Sequence, residues 1–441
     1  MFSFPVFILT WTDGKGVTAP RYTAPPLDFT PLRRHRDYRL LYSAQFITFL
    51  GTMVTYVALP YQMYQLTHSS LAVGLLGLAE LGPLLLTAFV GGALADAVDR
   101  RRLVLWAEAA LGLGSGLLLA TALFGARPWL LYVIAGLMSG LNGLQRPSIE
   151  ALTPRLVDRD EIPAAAALSV LRGSSVMVAG PALGGALIAA VGLWSAYALD
   201  LVSYVLAIAA IYFIRHVPPP ESAEKPTLRS IAEGFRYARS RQELMGTYVV
   251  DFVAMVFGMP LALFPALSEH LGGPRALGAL YAAPAVGALA ASLTSFWTPR
   301  VKRHGRAVMV AAAVWGLAIV AFGLVNGLGV AVFFLALAGG ADAVSGMFRM
   351  TLWNQTVPDA LRGRLAGIEM VSYMSGPLLG HVEAGAVAAL FGVRASVISG
   401  GVLCVVGVLL CGALLPRFLS YDVRDGTGGG GPHERPPTTA T

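Results

Sequence analysis

The sequence predicts an all-α membrane protein with twelve transmembrane helices in two pseudo-symmetric six-helix bundles. Three observations predict this fold class: the composition, the spacing of apolar segments and the placement of basic residues. Of the 441 residues, 56% are hydrophobic and 13% are charged, whereas soluble domains have about 25% charged residues. Mean hydropathy is +0.65. One membrane domain with many spans is therefore the expected class.

Twelve apolar segments are long enough, at about 20 residues each, to cross a bilayer. The predicted spans are 40–64, 71–93, 102–124, 129–149, 164–190, 195–214, 243–267, 276–297, 307–326, 329–350, 365–391 and 395–416. The predicted domains are a cytoplasmic N-terminal tail (1–39), a first bundle (40–214), a cytoplasmic linker with an amphipathic helix (215–242), a second bundle (243–416) and a disordered cytoplasmic tail (417–441).

Basic residues are distributed unevenly between the two sides of these spans. Most of the 32 Lys and Arg residues lie in the tails and in the loops of one side, whereas Arg127, Arg275 and Arg394 lie in loops of the other. Basic loops face the cytoplasm in membrane proteins, which predicts that both termini are cytoplasmic. The same skew explains the net charge of +7 without a nucleic-acid partner.

A repeat relates the two halves of the chain. Arg100, after span 2, and Arg303, after span 8, are about 200 residues apart, as are Pro154 and Pro358 after spans 4 and 10. Two six-helix halves related in this way are typical of secondary transporters. Pro299 takes the place that Asp96 has in the first half, which predicts that the halves gate differently.

The loop between spans 2 and 3 contains glycines, an aspartate and three arginines within Gly91–Arg102. Glycines permit close helix approach, and adjacent arginines mark the cytoplasmic face. The stretch resembles the signature of the major facilitator superfamily, with matches at Gly92, Leu94, Asp96, Arg100 and Arg101 and departures at Ala97 and Asp99.

We predict that Asp96 pairs with Arg100 or Arg101 and with Glu150, at the inner end of span 4, and that this network holds the cytoplasmic side shut. The alternative is that the arginines only face lipid headgroups.

Further stretches resemble the bacterial enterobactin exporters and related efflux proteins of this superfamily. They include Val90–Asp96, Phe264–Leu267, Leu280–Pro284 and Gln355–Pro358. The resemblance extends from about residue 36 to residue 416, and it implies proton-driven export of a siderophore or a drug-like amphiphile.

Span 5 contains a proline flanked by glycines, which resembles the antiporter signature of drug exporters. We predict a gating hinge at Gly180, Pro181, Gly184 and Gly185, because proline removes a backbone hydrogen bond and can kink a helix. Simple glycine-mediated packing is the alternative. Gly376-Pro377 of span 11 is the pseudo-symmetric counterpart, which predicts that spans 5 and 11 pair.

Ionisable residues inside spans are functional candidates by default. The resemblance implies that helices 1, 4, 7 and 10 line a central cavity, which favours Asp342 and Asp251 for proton coupling, with Glu383 as a further candidate. A structural pair with Arg349 is the alternative for Asp342. Arg172 of span 5 is a candidate by the same rule, whereas Glu80, Glu108 and Asp200 are interpreted as packing or interface charges. The predicted substrate-cavity residues are Gln45, Thr48, Thr52, Tyr56 and Asn142.

The sequence contains no P-loop that would bind ATP, and it shows no metal-ligand cluster, no cofactor motif and no enzyme site. We predict a monomeric, proton-coupled exporter in the bacterial inner membrane, with a small-molecule substrate, protons and the lipid bilayer as its partners. A siderophore is the preferred substrate. The alternatives are a multidrug or antibiotic antiporter and a non-transporting scaffold on the same fold.

Overall fold

The computed structural model describes residues 28–97, 99–215, 236–358 and 361–422. The side chains at 88–97, 100, 151, 363, 364, 366–368, 370 and 371 lie outside this description. Most of the predicted N-terminal tail, the amphipathic part of the linker and nearly all of the C-terminal tail also lie outside it.

The described residues form twelve long helices and no β-strand. They are α1 (Arg36–Thr67), α2 (Ser70–Ala97), α3 (Arg100–Phe124), α4 (Pro128–Leu152), α5 (Ile162–Ala190), α6 (Leu193–Tyr212), α7 in two pieces (Gln242–Phe257 and Phe264–Leu271), α8 (Pro274–Leu293), α9 (His304–Leu324), α10 (Leu328–Thr356), α11 (Arg362–Phe391) and α12 (Val393–Leu414).

The predicted fold class, an all-helical membrane protein, is confirmed. Ten spans in the described part of the chain are long and apolar enough to cross a bilayer. Helices α4 and α11 are of similar length, so the count of twelve is consistent with the structure. Large apolar side chains also face outward, where lipid would contact them: Leu86 is 70% exposed and Leu390 is 77% exposed.

Helix α7 is interrupted, where the sequence predicted one continuous span. The break falls at Gly258–Pro260, because proline cannot donate the backbone hydrogen bond that would continue a helix. Backbone groups freed by such a break must find other partners inside a membrane. Trp315 Nε1 donates to the Gly258 carbonyl at 2.7 Å, and the Tyr281 hydroxyl donates to the Leu261 carbonyl at 3.0 Å.

The two halves pack in corresponding ways, as the sequence repeat predicted. In the first half α1 packs on α5 and α6, and α2 packs on α4; in the second half α7 packs on α11 and α12, and α8 packs on α10. Equivalent turns, before α6 and before α12, contain Gly192 at φ 110° and Gly392 at φ 91°. Glycine adopts such left-handed conformations without steric cost.

The halves meet along two helix pairs, α2 with α11 and α5 with α8. The predicted pairing of spans 5 and 11 is therefore wrong. Glycines bring the backbones together in both pairs: a Cβ atom on Gly278 of α8 would lie 3.0 Å from the Cα atom of Gly185 of α5, and one on Gly74 of α2 would lie 3.3 Å from the Cα atom of Gly385 of α11. Both contacts lie near the C-terminal ends of α5 and α11, on the side of the molecule where the loops after α1, α5, α7 and α11 lie. We call this the arginine-poor side, and the opposite side the arginine-rich side.

Candidate functional site

A cavity of about 680 Å³ lies between the two halves. It extends to the arginine-rich side, since Thr153 and Pro154 of the loop after α4 line it together with Ser292 near the end of α8. Its volume falls within the range of small-molecule sites, roughly 300–1,000 Å³. Apolar and polar side chains share the wall.

Four of the five predicted cavity residues line this space: Gln45, Thr48, Thr52 and Asn142. The fifth, Tyr56, is not among the lining residues. Its ring packs edge-on against Tyr281 of α8, with ring centroids 5.4 Å apart. Tyr56 therefore lies at the contact between the halves, which leaves its predicted substrate role without a place in this cavity.

Two charged residues on the cavity wall were missed as cavity residues by the sequence interpretation. Glu108 of α3 is 1% exposed, lines the cavity and has an Oε2 atom without a hydrogen-bond partner in the described structure. Arg172 of α5 also lines it. Both are ionisable residues within spans and were therefore functional candidates by that rule, but neither was assigned to the cavity. Restricting the cavity to helices 1, 4, 7 and 10 excluded them.

Asp200 of α6 lies behind this wall, fully buried. The hydroxyls of Thr55 and Ser115 donate to its Oδ2 atom, the first at 2.8 Å. These bonds link α1, α3 and α6 within the first half. The interpretation of Asp200 as a packing charge fits this arrangement, because hydrogen bonds offset part of the cost of burying a carboxylate.

The acids predicted for proton coupling lie in the second half, away from the large cavity. Arg349 of α10 forms ion pairs with both Asp251 of α7 and Asp342 of α10, the latter at 3.5 Å. Glu369 of α11 lines the same small pocket as Asp251 and Arg349. The side chains of Arg349, Asp251 and Asp342 are all largely buried. The structure therefore shows Asp342 in an ion pair with Arg349, which was the alternative to a proton-coupling role.

Glu383 of α11, the third coupling candidate, does not line the large cavity and has no ion-pair partner among the described residues. Its neighbour His381 lies at the contact with α2, where a Cβ atom on Gly77 would lie 3.1 Å from the His381 Cβ. The proton-coupling role of Glu383 stays a prediction.

The side chains of Gly92, Asp96 and Arg100 in the signature loop lie outside the described residues. Arg101 bonds through its guanidinium to the carbonyls of Ile211 and Tyr212, at the end of α6. A cation in this position complements the negative end of a helix dipole. Glu150 pairs with Arg146 one turn away, at 3.0 Å. Arg101 and Glu150 thus have different partners, and the network itself stays a prediction.

The glycines of the predicted hinge in α5 face two different neighbours. Gly180 and Gly184 lie against α1, where a Cβ atom on Gly184 would be 3.2 Å from the Val54 carbonyl oxygen. Gly185 and the Pro181 carbonyl instead face Gly278 of α8, across the contact between the halves. Only the second set lies where the two halves would move against each other, and the hinge itself stays a prediction.

One group near the arginine-rich surface has the residue types of a metal site. His35 Nε2 lies 2.6 Å from Glu161 Oε2 and 3.8 Å from Asp158 Oδ2. Arg34 Nη1 lies 3.6 Å from the other Glu161 oxygen, so the Arg34 guanidinium already forms an ion pair with this carboxylate. We interpret the group as an ion-pair cluster that joins the start of α1 to the loop before α5.

Two pseudo-symmetric helical halves around a cavity that reaches one side define a membrane transporter. A family model described as a transmembrane secretion effector matches residues 27–425. The chain therefore belongs to this family, which is part of the major facilitator superfamily.

Similar proteins cover nearly the whole chain. The enterobactin exporter EntS of Citrobacter koseri is 30% identical over 388 residues, which cover 87% of this chain and 93% of that protein. The protein of the same name from Shigella boydii is 30% identical over 387 residues, with the same coverage.

Two solved structures show the same fold. The nucleoside transporter NupG matches with a TM-score of 0.67 at 12% identity, over 86% of this chain and 98% of that chain. A bacterial homologue of the iron transporter ferroportin, in an inward-facing state, matches with a TM-score of 0.65 at 16% identity, over 87% of this chain and 99% of that chain.

Proposed function

We propose that this protein is a proton-coupled secondary exporter that moves an amphiphilic small molecule of the siderophore class across the bacterial inner membrane by alternating access. The observation that carries the proposal is the cavity of about 680 Å³ between the halves. Its wall combines apolar side chains such as Phe49 and Met177 with polar ones such as Thr52 and Asn142, which suits an amphiphile. The relatives named as enterobactin exporters support a siderophore.

The proposed orientation places both termini and the arginine-rich side in the cytoplasm, following the distribution of basic loops. The cavity mouth then faces the cytoplasm, from which an exporter must load its substrate. Because one chain supplies the whole described wall of the cavity, we propose that the monomer is the transporting unit. We propose the cluster of Asp251, Asp342 and Arg349 as the proton site. It lies in the second half, whereas most of the cavity wall belongs to the first half.

Expression of the protein in a bacterium that lacks its own enterobactin exporter is expected to restore enterobactin release into the medium. A protonophore added to the same cells should stop this release, because the proton gradient drives it. Cells with an empty vector are the control. Ethidium extrusion without enterobactin release would favour the multidrug antiporter, and release of neither from cells with inserted protein would favour the scaffold.

Asp96→Asn is expected to leave the protein inserted but to reduce export at least tenfold, since the predicted network loses a charge. Asp99→Asn is the matched control. Asp99 is the N-cap residue of α3, and its carboxylate accepts a hydrogen bond from the Arg101 backbone nitrogen at 2.9 Å. Asparagine caps helices as well as aspartate does. Export by Asp96→Asn at the wild-type rate, with equal amounts of protein in the membrane, would show that transport does not depend on the predicted network.

A further inference from the structure

Arg172 is a cation in the wall of a membrane cavity. It lies about 15 Å along α5 from the arginine-rich end of that helix. Its guanidinium donates a hydrogen bond to Gln45 Oε1 of α1 and lies over the Tyr42 ring at 5.5 Å. No acidic residue in the described part of the chain forms an ion pair with it, whereas Arg146, in the same wall, pairs with Glu150.

Gln45 adds an unpartnered donor at the same place. Its side chain is 7% exposed and lines the cavity. Because Oε1 accepts the bond from Arg172, the amide orientation is fixed, and the Nε2 group is left without an acceptor in the described structure. Buried amide donors are nearly always satisfied. A buried donor that lacks an acceptor and a cation that lacks an ion-pair partner, both among the described residues, therefore indicate that a ligand supplies the missing acceptor.

We propose that Arg172 and Gln45 form a binding site for an anionic oxygen group of the transported molecule. This inference rests on the proposed function and narrows the substrate to amphiphiles that carry a carboxylate or an acidic phenol. Arginine recognises such groups with charge-assisted, paired hydrogen bonds. The apolar wall contributed by Phe49 and Met177 would hold the uncharged part of the molecule.

Two buried carboxyl groups of the first half, Glu108 and Asp200, have partners other than Arg172. Glu108 lies on α3, beside Gln145 of α4, and Asp200 is held by Thr55 and Ser115. Neither pairs with Arg172. A negative substituent is thus expected on the side of the cavity formed by α1 and α5, and not against α3.

The test measures binding to the purified full-length protein in detergent, with two fluorescent probes that differ in one group. Dansylglycine carries a carboxylate, and dansylglycinamide carries a neutral amide in its place. The wild-type protein is expected to bind dansylglycine at least tenfold more tightly than the amide. Arg172→Gln should abolish this preference, and Arg172→Lys, which keeps the charge but loses the paired geometry, should retain part of it.

Two further variants complete the comparison. Arg146→Gln removes a cavity arginine that is already paired with Glu150, so the preference for the anion should persist. Glu108→Gln removes the carboxyl group that α3 contributes to the cavity wall and should also leave the preference in place. Equal binding of both probes to the wild type, binding of neither, or a preserved preference in a monodisperse Arg172→Gln protein would each overturn the proposal. A protein that shows the preference but does not export enterobactin would contradict the proposed function alone.

Discussion

Arg349→Gln is expected to destabilise the protein by about 3–5 kcal/mol, which is the typical cost of leaving a buried charge without its partner. Arg349 is 19% exposed in its side chain, and the two aspartates that it pairs with, Asp251 and Asp342, are 10% and 8% exposed. Removing the guanidinium leaves two carboxylates close together in a medium where neither is hydrated. The measurement is the temperature at which the detergent-purified protein loses its monodisperse peak.

Two controls separate this effect from a general loss of charge. Arg306→Gln changes an exposed arginine near the start of α9 and should alter the unfolding free energy by less than about 0.5 kcal/mol. The triple variant Arg349→Gln/Asp251→Asn/Asp342→Asn removes all three charges and should recover most of the lost stability. If Arg349→Gln unfolds at the wild-type temperature, the cluster does not hold α7 and α10 together.

The same cluster gives the expected result for proton coupling. Asp342→Asn should fold, because Arg349 keeps its contact with Asp251, but it should lose substrate-induced proton release. Asp342 is the looser partner, at 3.5 Å from Arg349, and is therefore the carboxyl more able to exchange a proton. Asp251→Asn should have the smaller effect. Unchanged proton release from Asp342→Asn would exclude that residue, and loss only in Asp251→Asn would assign the role to α7.

Gly74→Val is expected to reduce enterobactin export at least tenfold, because the two halves can no longer close on the arginine-poor side. A Cβ atom at this position would overlap the His381 carbonyl group of α11 and lie 3.3 Å from the Gly385 Cα. A tenfold effect corresponds to about 1.4 kcal/mol, which a backbone overlap in a packed interface readily supplies. Gly82→Val on the same helix is the matched control, since nothing lies within 4 Å of its Cβ position.

The direction of the change is tested with one added cysteine, Ser70→Cys, at a buried residue whose carbonyl oxygen faces Gly385. Gly74→Val should increase the labelling of Ser70→Cys by a membrane-impermeant maleimide, and Gly82→Val should not. The native Cys404 and Cys411 are free and buried and should react little. Equal export and equal labelling in the two glycine variants would show that this contact does not gate transport.

The sequence could indicate only part of the cavity wall. Helices were assigned to the cavity by resemblance, and Gln45, Thr48 and Thr52 of α1, named on that basis, do line it. The same assignment left Glu108 and Arg172 out, although both line the cavity. Which side chains meet depends on how α3 and α5 are rotated about their own axes, and a list of spans does not contain that rotation.

The sequence by itself determined the helical membrane class and the two related halves. The bilayer imposes spans of about 20 apolar residues. The basic and proline-containing loops that repeat after about 200 residues are also visible in the linear sequence. These signals are local, so no tertiary contact was needed to interpret them. The charge skew that predicts the orientation is of the same kind.

Only the tertiary structure decided which helices meet and which charges pair. In a soluble helix the polar face shows which side is buried, but in a bilayer the lipid-facing side is as apolar as the packed side. Leu111 and Leu113 of α3 illustrate this, since the first is 1% exposed and the second 67%. The partners of α5, the ion pairs of Arg349 and the contacts of Arg172 with Gln45 and Tyr42 all depend on such rotations, and packing alone fixes them.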